Sequence, residues 1–362
     1  MTASGAGSLK NTVRSPPAMG DTGGVLEPVQ KLEVDSDPEL SCEDEPDSDS
    51  DGQISIKSNN IEAIIENNRR YCNESYHMPN DEAEQTRLNI VHQIYLILLN
   101  GNLTTVPVSS GAPRILDIGT GPGDWVIEMS ALHPEATFIA SDIGVFDAGI
   151  GHIDLPNVFF QLDDAGDEWT YDRPFDLVHL RGLSGAFKDW RYIYKQAFKH
   201  LNPGGYIEVS DEDPAGDTVT LPNSNNSYLS IYASAMRSAA EAAGFPRDLS
   251  HLRPAMLSAA GFVDVRVLER EVPIGLWPVD IQEKTLGKMV LIALLEGLEA
   301  YSLRHLTATS KWTPDQVRDL CDKVKRELMT ARKMTGRIRI LTGRKPISSA
   351  AKKVETHNCT TV

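Results

Sequence analysis

The chain has 362 residues, of which 41% are hydrophobic and 24% charged, a composition typical of a globular protein with a sizeable core. Its net charge of −16 and its four widely separated cysteines argue against a basic nucleic-acid binder, a disulfide scaffold and a zinc or iron–sulfur site. No apolar run reaches the roughly 18 residues of a membrane span, and the N-terminal residues lack the apolar core of a signal peptide. We therefore expect no direct nucleic-acid binding, no metal and no membrane span.

The first 57 residues are strongly acidic, with twelve acidic and four basic residues. Their apolar residues are few and aperiodic, so burial cannot offset the entropy lost on ordering. The pattern predicts a disordered region over 1–57, which acts either as a solubilising tail or as a partner-binding arm. Phosphorylation would suit the second alternative, because Ser41, Ser48 and Ser50 lie among carboxylates.

Strands and helices alternate through the next part of the chain. The predicted strands are 114–118, 137–140, 158–161, 175–180, 206–209, 262–267 and 337–341. The first predicted helix is capped near Asn80 or Asp81 and ends at Leu99. The other predicted helices are 124–132, 190–201, 228–243, a short one before Gly261, 281–303 and 313–333. The alternation predicts an α/β fold in which a mostly parallel sheet carries helices on both faces, and the last strand has the pattern of an edge or antiparallel strand.

A glycine-rich turn lies between the first strand of this series and its helix. The segment LDIGTGPG has the pattern D-x-G-x-G-x-G, formed by Asp117, Gly119, Gly121 and Gly123. The glycines let the backbone approach a ligand, and the helix N-terminus offers free N–H groups. The spacing differs from the dinucleotide pattern G-x-G-x-x-G and suits S-adenosylmethionine, whose ammonium Asp117 could face. A purely structural turn is the alternative.

Acidic residues also follow the next two strands. Asp142 ends the second strand, where a carboxylate can accept hydrogen bonds from both ribose hydroxyls, although it could also cap a helix. Asp163, Asp164 and Ala165 follow the third strand, where they could meet the adenine ring or form a solvated acidic loop. Since carboxyl ends of parallel strands share one sheet edge, the joint pattern predicts a nucleoside site there.

The chain resembles the class I S-adenosylmethionine-dependent methyltransferases, a Rossmann-like fold with a seven-stranded, mostly parallel sheet. The resemblance covers about residues 85–270 and rests on LDIGTGPGDW, SDIG, DDA, FDLVHLR, LNPGGYIEV and AGFVDV. Within that superfamily the chain is similar to the fungal LaeA-like methyltransferases over about residues 66–346. This finer resemblance rests on YHMPNDEAEQTRL, DDAGDEWTY, FDLVHLRGL, VPIGLWPVD and GRKP.

The resemblance implies which residues bind the cofactor. It assigns Asp117, Gly119, Gly121 and Gly123 to the methionine end. It assigns Asp142 to the ribose, and Asp164 with Ala165 to the adenine. Arg181 ends the fourth strand, where it either contacts the cofactor's carboxylate or forms an ion pair with Asp211 or Glu208.

No catalytic residue is assigned, because methyl transfer from a sulfonium can proceed by alignment alone. His179 lies on an apolar strand, which favours a core histidine over a base. The segment after it lacks the N/D-P-P-Y/F turn of amino-methylating enzymes with this fold, which disfavours adenine-N6 and glutamine acceptors. Tyr71, Tyr76 and His77 either close over the cofactor or pack in the core.

The resemblance also implies a role and partners. LaeA-like proteins are associated with secondary metabolism and development, and some act in nuclear complexes with velvet-type regulators or other methyltransferase subunits. We expect a methyltransferase domain over 58–346, a helical insert over about 281–333 and a flexible tail over 347–362. The insert could be a lid, a pocket wall or a partner surface, with Trp277, Trp312 and Met289 as candidate pocket residues that could equally pack in the core.

Three functional classes are compatible with the sequence. The first is an active methyltransferase that acts on a protein or a small molecule, which includes a small-molecule O-methyltransferase. The second is a cofactor-binding regulatory subunit, and the third is an oxidoreductase, which the glycine spacing disfavours. Residues 323–353 hold eleven Lys and Arg residues, but these are too spread out for a compact nuclear-import cluster. We expect the protein in nucleus and cytoplasm, with import through a partner.

Overall fold

The computed structural model describes residues 64–74, 76–109, 111–146, 155–212 and 227–347. The region predicted to be disordered and almost all of the predicted tail lie outside these residues. The described strands are β1 (Ile64–Glu66), β2 (Arg69–Tyr71), β3 (Arg114–Ile118), β4 (Thr137–Asp142), β5 (Val158–Leu162), β6 (Phe175–Arg181), β7 (Leu201–Glu212), β8 (Val263–Ile274) and β9 (Met334–Arg344). The helices are α1 (Glu82–Leu98), α2 (Asp124–Leu132), α3 (Trp190–His200), α4 (Tyr228–Ala243), α5 (Pro254–Ala260), α6 (Ile281–Thr307) and α7 (Pro314–Thr330).

Seven strands form one sheet in the order β5-β4-β3-β6-β7-β9-β8, and β1 pairs with β2 in a separate hairpin. The strands from β5 to β7 are parallel, whereas β9 is antiparallel to both β7 and β8. The prediction of a seven-stranded, mostly parallel sheet is therefore confirmed. For the last strand, the antiparallel alternative is correct and the edge alternative is wrong, because β9 lies between two strands.

The sheet is covered by helices on both faces, because successive apolar side chains of its central strands point to opposite faces. Ile115 of β3 packs with Trp125 and Met129 of α2 on one face. The next residue, Leu116, packs with Ile193 of α3 and the adjoining helices on the other. Continuous apolar runs such as RILDI are typical of parallel strands buried in this way.

The predicted element boundaries differ from the observed ones mainly where strands are long. β7 runs over twelve residues instead of the predicted four, because it begins directly after α3 and passes through the Asn-Pro-Gly-Gly segment that predicted a break. Gly204, at φ +88°, and a register shift beside Phe175 accommodate that segment within the strand. Asp81, one of the two residues predicted to cap α1, is its N-cap and accepts a hydrogen bond from Glu84 N.

Helices α6 and α7 lie between β8 and β9 in the chain and pack into the fold. α6 contacts α1, α7 and β8, and α4 also packs on this group. The shared core includes Leu291, Leu298 and Leu303 of α6 together with Val317 and Val324 of α7. The insert is thus part of the same hydrophobic structure as the sheet. Among the described helices, none is long and apolar enough to cross a lipid bilayer.

Candidate active site

A cavity of about 220 Å³ lies at the carboxyl ends of the central parallel strands. Its floor is formed by the loops after β3, β4 and β6 and by the last residues of β7, and its walls come from α1, α4, α6, β8 and β9. Ligands of open α/β sheets bind at this edge. The cavity is therefore the candidate active site.

The loop between β3 and α2 forms one side of the floor. Gly119, Gly121 and Gly123 have φ values of +68°, +58° and +88°, in the left-handed region that favours glycine. A Cβ atom on Gly119 would lie 2.4 Å from Leu183 Cδ2, so the Leu183 side chain would have to shift to accommodate another residue. At Gly121 the nearest side-chain atom to a Cβ would be Leu88 Cδ1 at 3.6 Å. The glycines thus leave open space beside the N-terminus of α2.

Asp142, the last residue of β4, supports this loop. Its carboxylate accepts hydrogen bonds from the backbone N–H of Gly121 at 2.8 Å and of Gly144 at 2.9 Å. Burial raises the pKa of Asp142 to about 6, despite these two hydrogen bonds. The structure thereby places a half-buried carboxylate in the cavity wall, where it can accept further hydrogen bonds.

A second polar cluster lies on the side formed by α1 and α6. Arg87 makes a buried ion pair with Glu84 (Nη2–Oε1 2.7 Å) and also hydrogen-bonds the Tyr301 hydroxyl. Tyr301 donates to Glu84 Oε1 at 3.0 Å, and the Arg247 guanidinium lies 5.1 Å from the centre of the Tyr301 ring. Burial raises the pKa of Tyr301 well above its usual range. All four side chains line the cavity.

Glu212, the last residue of β7, also faces the cavity. Tyr95 of α1 donates a hydrogen bond to Glu212 Oε2 at 2.9 Å. Burial and the neighbouring Asp211 raise the pKa of the Glu212 carboxyl. Asp211 itself lies 3.2 Å from His251 Nε2 and is nearly fully buried. The two acidic residues that end β7 therefore have different partners.

The rest of this side is apolar. Its residues come from α1, β8, α6 and β9, and include Val91, Ile94, Val272, Ile274, Val290, Ala293, Leu294, Leu298 and Ile338. The cavity thus has two parts. We call the part formed by the loops after β3, β4 and β6 the loop half, and the part formed by α1, α6, β8 and the end of β7 the helix half.

The segment before α1 closes over the loop half. Tyr76, Met78 and Asn80 line the cavity, and the Asn80 side chain donates to Val145 O at 3.0 Å. Arg304 of α6 holds the segment in place: its Nη1 donates to Asn73 O at 2.7 Å and to Tyr76 O at 2.9 Å. The insert therefore fixes the segment that covers the strand ends.

Comparisons with known proteins fit this architecture. A family model described as a methyltransferase domain matches residues 72–263. The chain is 31% identical to the methyltransferase pytC of Aspergillus terreus over 310 residues, which cover 84% of this chain and 92% of that protein. It is 33% identical to the secondary metabolism regulator LAE1 of Cochliobolus heterostrophus over 282 residues, which cover 75% and 90% of the two chains.

The chain belongs to the methyltransferase family, among the LaeA-like members. A solved structure of a Haemonchus contortus phosphoethanolamine N-methyltransferase with S-adenosyl-L-methionine also aligns, with 18% identity, coverage of 72% and 52% of the two chains and a TM-score of 0.41. The protein is an S-adenosylmethionine-dependent methyltransferase. Its loop half fits that cofactor, because Gly121 leaves a space beside a helix N-terminus and Asp142 presents a half-buried carboxylate at the neighbouring strand end.

The structure brings four of the predicted site residues of this methyltransferase together in the cavity wall. These are Gly119, Gly121, Asp142 and Arg181. Gly123 lies directly behind them as the N-cap of α2. Their roles toward the cofactor stay predictions, and their positions at one end of the cavity suit those roles.

Asp117 lies elsewhere, in the interior of the sheet. Its carboxylate is 2.7 Å from Nδ1 of His179, and both side chains are buried. Trp125 stacks on the His179 ring at 3.8 Å, so His179 is a core histidine with a satisfied partner. Asp117 has the same strand parity as Ile115 and therefore points toward the α2 face. At this end of the cavity, Asp124 of α2 lines the wall instead.

Asp163, Asp164 and Ala165 form a turn after β5, next to the end of β4. Asp163 N donates to Asp142 O at 2.9 Å, while the Asp164 carboxylate accepts from Gly166 N at 2.8 Å. Ala165 O accepts from the Trp169 indole. The two carboxylates are exposed and all three residues lie outside the cavity wall, so an adenine contact there stays a prediction.

Arg181 has different neighbours from the ones considered in the sequence. Its guanidinium is 3.1 Å from Nδ1 of His92 and 5.1 Å from the centre of the Tyr95 ring. Asp211 pairs with His251, and Glu208 accepts from Thr105 N at 2.8 Å. Among the described residues neither predicted ion pair forms, which leaves Arg181 at the cavity wall.

Three candidate pocket residues of the insert lie outside this cavity. Trp277 donates to Met334 O at 3.0 Å, Met289 packs with α1 and β8, and Trp312 lies beside a separate groove along α4. Sequence analysis gave the residues of the helix half no role in the site. Two segments that carry the finer resemblance nevertheless contain some of them: YHMPNDEAEQTRL includes Glu84 and Arg87, and VPIGLWPVD includes Val272 and Ile274.

Proposed function

We propose that this methyltransferase is catalytically active and regulates secondary metabolism and development. The observation that carries the catalytic part is the helix half, because a subunit that only binds the cofactor has no need of a second, largely apolar chamber beside it. The regulatory part is supported by relatives described as secondary metabolism regulators, such as LAE1 of Cochliobolus heterostrophus and laeA of Gibberella zeae.

The test compares three versions of the gene in the organism that encodes the chain: wild type, a deletion, and Gly121→Val. A side chain at Gly121 would enter the space beside the loop while the hydrophobic core stays untouched. We expect Gly121→Val to change the secondary-metabolite profile as the deletion does, with normal protein levels. A wild-type profile from the variant would mean that the protein works without its cofactor, as a binding subunit.

We further propose that the protein moves between cytoplasm and nucleus in a complex with velvet-type regulators or other methyltransferase subunits. The insert and the residues just before it offer exposed apolar side chains that the core does not use, among them Val279, Ile281 and Met329. Ile281→Asp with Met329→Asp should abolish co-purification of partners and nuclear accumulation, while affinity for S-adenosylhomocysteine is unchanged. Normal nuclear entry of this double variant would contradict the insert as the partner surface.

A further inference from the structure

The helix half contains several carboxylates, which differ in their partners and in their exposure. Glu84 is bound by Arg87 and by the Tyr301 hydroxyl, and is therefore committed to structural contacts. Asp211 Oδ2 lies 3.2 Å from His251 Nε2 without a hydrogen bond between them, and its other oxygen accepts from Glu212 N at 3.2 Å. Asp211 is nearly fully buried, so it presents little surface to a ligand in the chamber.

Glu212 differs from them. In the part of the chain that the structure describes, its carboxylate receives one side-chain hydrogen bond, from Tyr95 to Oε2, and makes no close ion pair. Its place at the end of β7 puts it beside the apolar wall, opposite Ile338 in the β7–β9 register. One carboxylate oxygen is thus available to a ligand in the chamber.

The groups around Glu212 decide whether it can take a proton. Burial and Asp211 of β7 raise its pKa, whereas Tyr95 and Arg87 of α1 and Arg181 of β6 lower it, and the net direction is upward. Tyr301 of α6 belongs to the same electrostatic group. A carboxylate of raised pKa is a better base near neutral pH than an exposed glutamate.

We propose that Glu212 is the general base for a methyl acceptor bound in the helix half, and that this acceptor is a mainly apolar molecule presenting an uncharged hydroxyl group. The inference rests on the proposed function, because a base has a role only in an active enzyme. A neutral hydroxyl must lose its proton as it attacks, which calls for a base in contact with it. The apolar walls suit an acceptor without a charge, whereas an amine that is charged at neutral pH would be held by Glu212 as an ion pair in its non-nucleophilic form.

The proposed step balances. The acceptor oxygen forms a bond to the methyl carbon as the carbon–sulfur bond breaks, and the electron pair of that bond goes to sulfur, which loses its positive charge. The hydroxyl proton goes to a carboxylate oxygen of Glu212 and then to solvent. Tyr95 is a positioning residue, since it touches Glu212 and holds its carboxylate toward the chamber.

Glu212→Gln tests the base, with Glu296→Gln, an exposed position on the outer face of α6, as the matched control. Both variants are assayed with labelled S-adenosylmethionine and a panel of apolar hydroxyl compounds and amines. We expect the wild type and the control to label hydroxyl compounds and Glu212→Gln to be at least about a hundredfold slower. Melting temperature and affinity for S-adenosylhomocysteine should match the wild type.

A readout without turnover is the titration of glutamate side chains labelled with ¹³C at the carboxyl carbon, followed by NMR with S-adenosylhomocysteine bound. We expect one resonance that titrates above the usual glutamate range and is missing in Glu212→Gln. Tyr95→Phe removes a hydrogen bond to the charged form, so both this midpoint and the acidic limb of the rate profile should move to higher pH.

The outcomes separate the two proposals. If the wild type labels nothing in the panel or in extracts, the proposed function fails. If it labels acceptors but Glu212→Gln keeps the wild-type rate and pH profile, or if the labelled products are amines, the base and acceptor class proposed here are wrong. A Glu212 resonance with an ordinary midpoint would also overturn the proposal.

Discussion

The two halves of the cavity are built in different ways. The loop half consists of short segments that each follow a parallel strand, with Gly119, Gly121 and Asp142 within a few residues of a strand end. The helix half joins residues far apart in the chain, such as Glu84 with Tyr301, or Tyr95 with Glu212. The difference teaches that the loop half follows from local sequence rules, whereas the helix half depends on how α1 and the insert pack.

The largest expected effect is on the loop half. Gly119→Val places a side chain where a Cβ alone would lie 2.4 Å from Leu183, in a left-handed conformation. The Leu183 side chain must shift, and valine strains the left-handed backbone of the loop, so affinity for S-adenosylhomocysteine should fall at least about a hundredfold, which is roughly 2.7 kcal/mol. Calorimetry measures this affinity, and circular dichroism checks that the variant is folded. Near-normal affinity would mean that the loop does not bind the cofactor.

The insert supplies the next prediction. A Cβ on Gly287 of α6 would lie 2.4 Å from the backbone oxygen of Gly275, so Gly287→Ala should lower the free energy of unfolding by about 1–3 kcal/mol. Gly297→Ala, also on α6, is the control, because the atoms nearest to a Cβ on Gly297 would be side-chain atoms, the closest of them in the Tyr301 ring at 3.2 Å. Equal stability of wild type and Gly287→Ala in urea would show that α6 is loosely attached.

The sequence predicted the strands of the loop half well, because buried parallel strands have continuous apolar runs. It also predicted that Gly121 and Asp142 lie at one sheet edge, and the structure has both in the cavity wall, while their contacts with the cofactor stay predictions. It assigned Asp117 to the methionine end, whereas strand parity directs that side chain to His179 and the α2 face, outside the cavity wall, so its role toward the cofactor stays a prediction. Glu212 could not be found, because its contact with Tyr95 joins residues 117 positions apart in the chain.

A smaller effect concerns pH. Burial raises the pKa of Asp142 to about 6, and we predict that its charged form accepts hydrogen bonds from the ribose hydroxyls. As pH falls from 7 to 5 the carboxylate becomes protonated, so affinity for S-adenosylhomocysteine should fall roughly tenfold. Asp142→Ala should weaken binding by about 1.5–3 kcal/mol and remove this pH dependence. A wild-type affinity that is flat from pH 7 to 5 would mean that Asp142 serves only the loop.

The smallest effect is expected outside both halves. Residues 1–57 are acidic and poor in apolar side chains, so deleting them should move the melting temperature by less than about 2 °C. Thermal unfolding of the truncated and full chains measures this. A decrease of several degrees would show that this segment stabilises the folded chain.

The central claim is that the loop half binds the cofactor and the helix half does not. Calorimetric titration of S-adenosylhomocysteine into Gly121→Val and Gly297→Val tests it, because each valine narrows one half of the same cavity. We predict that Gly121→Val loses measurable binding, whereas Gly297→Val binds within about twofold of the wild type. Retained binding by Gly121→Val, or its loss in a folded Gly297→Val, would contradict the assignment of the two halves.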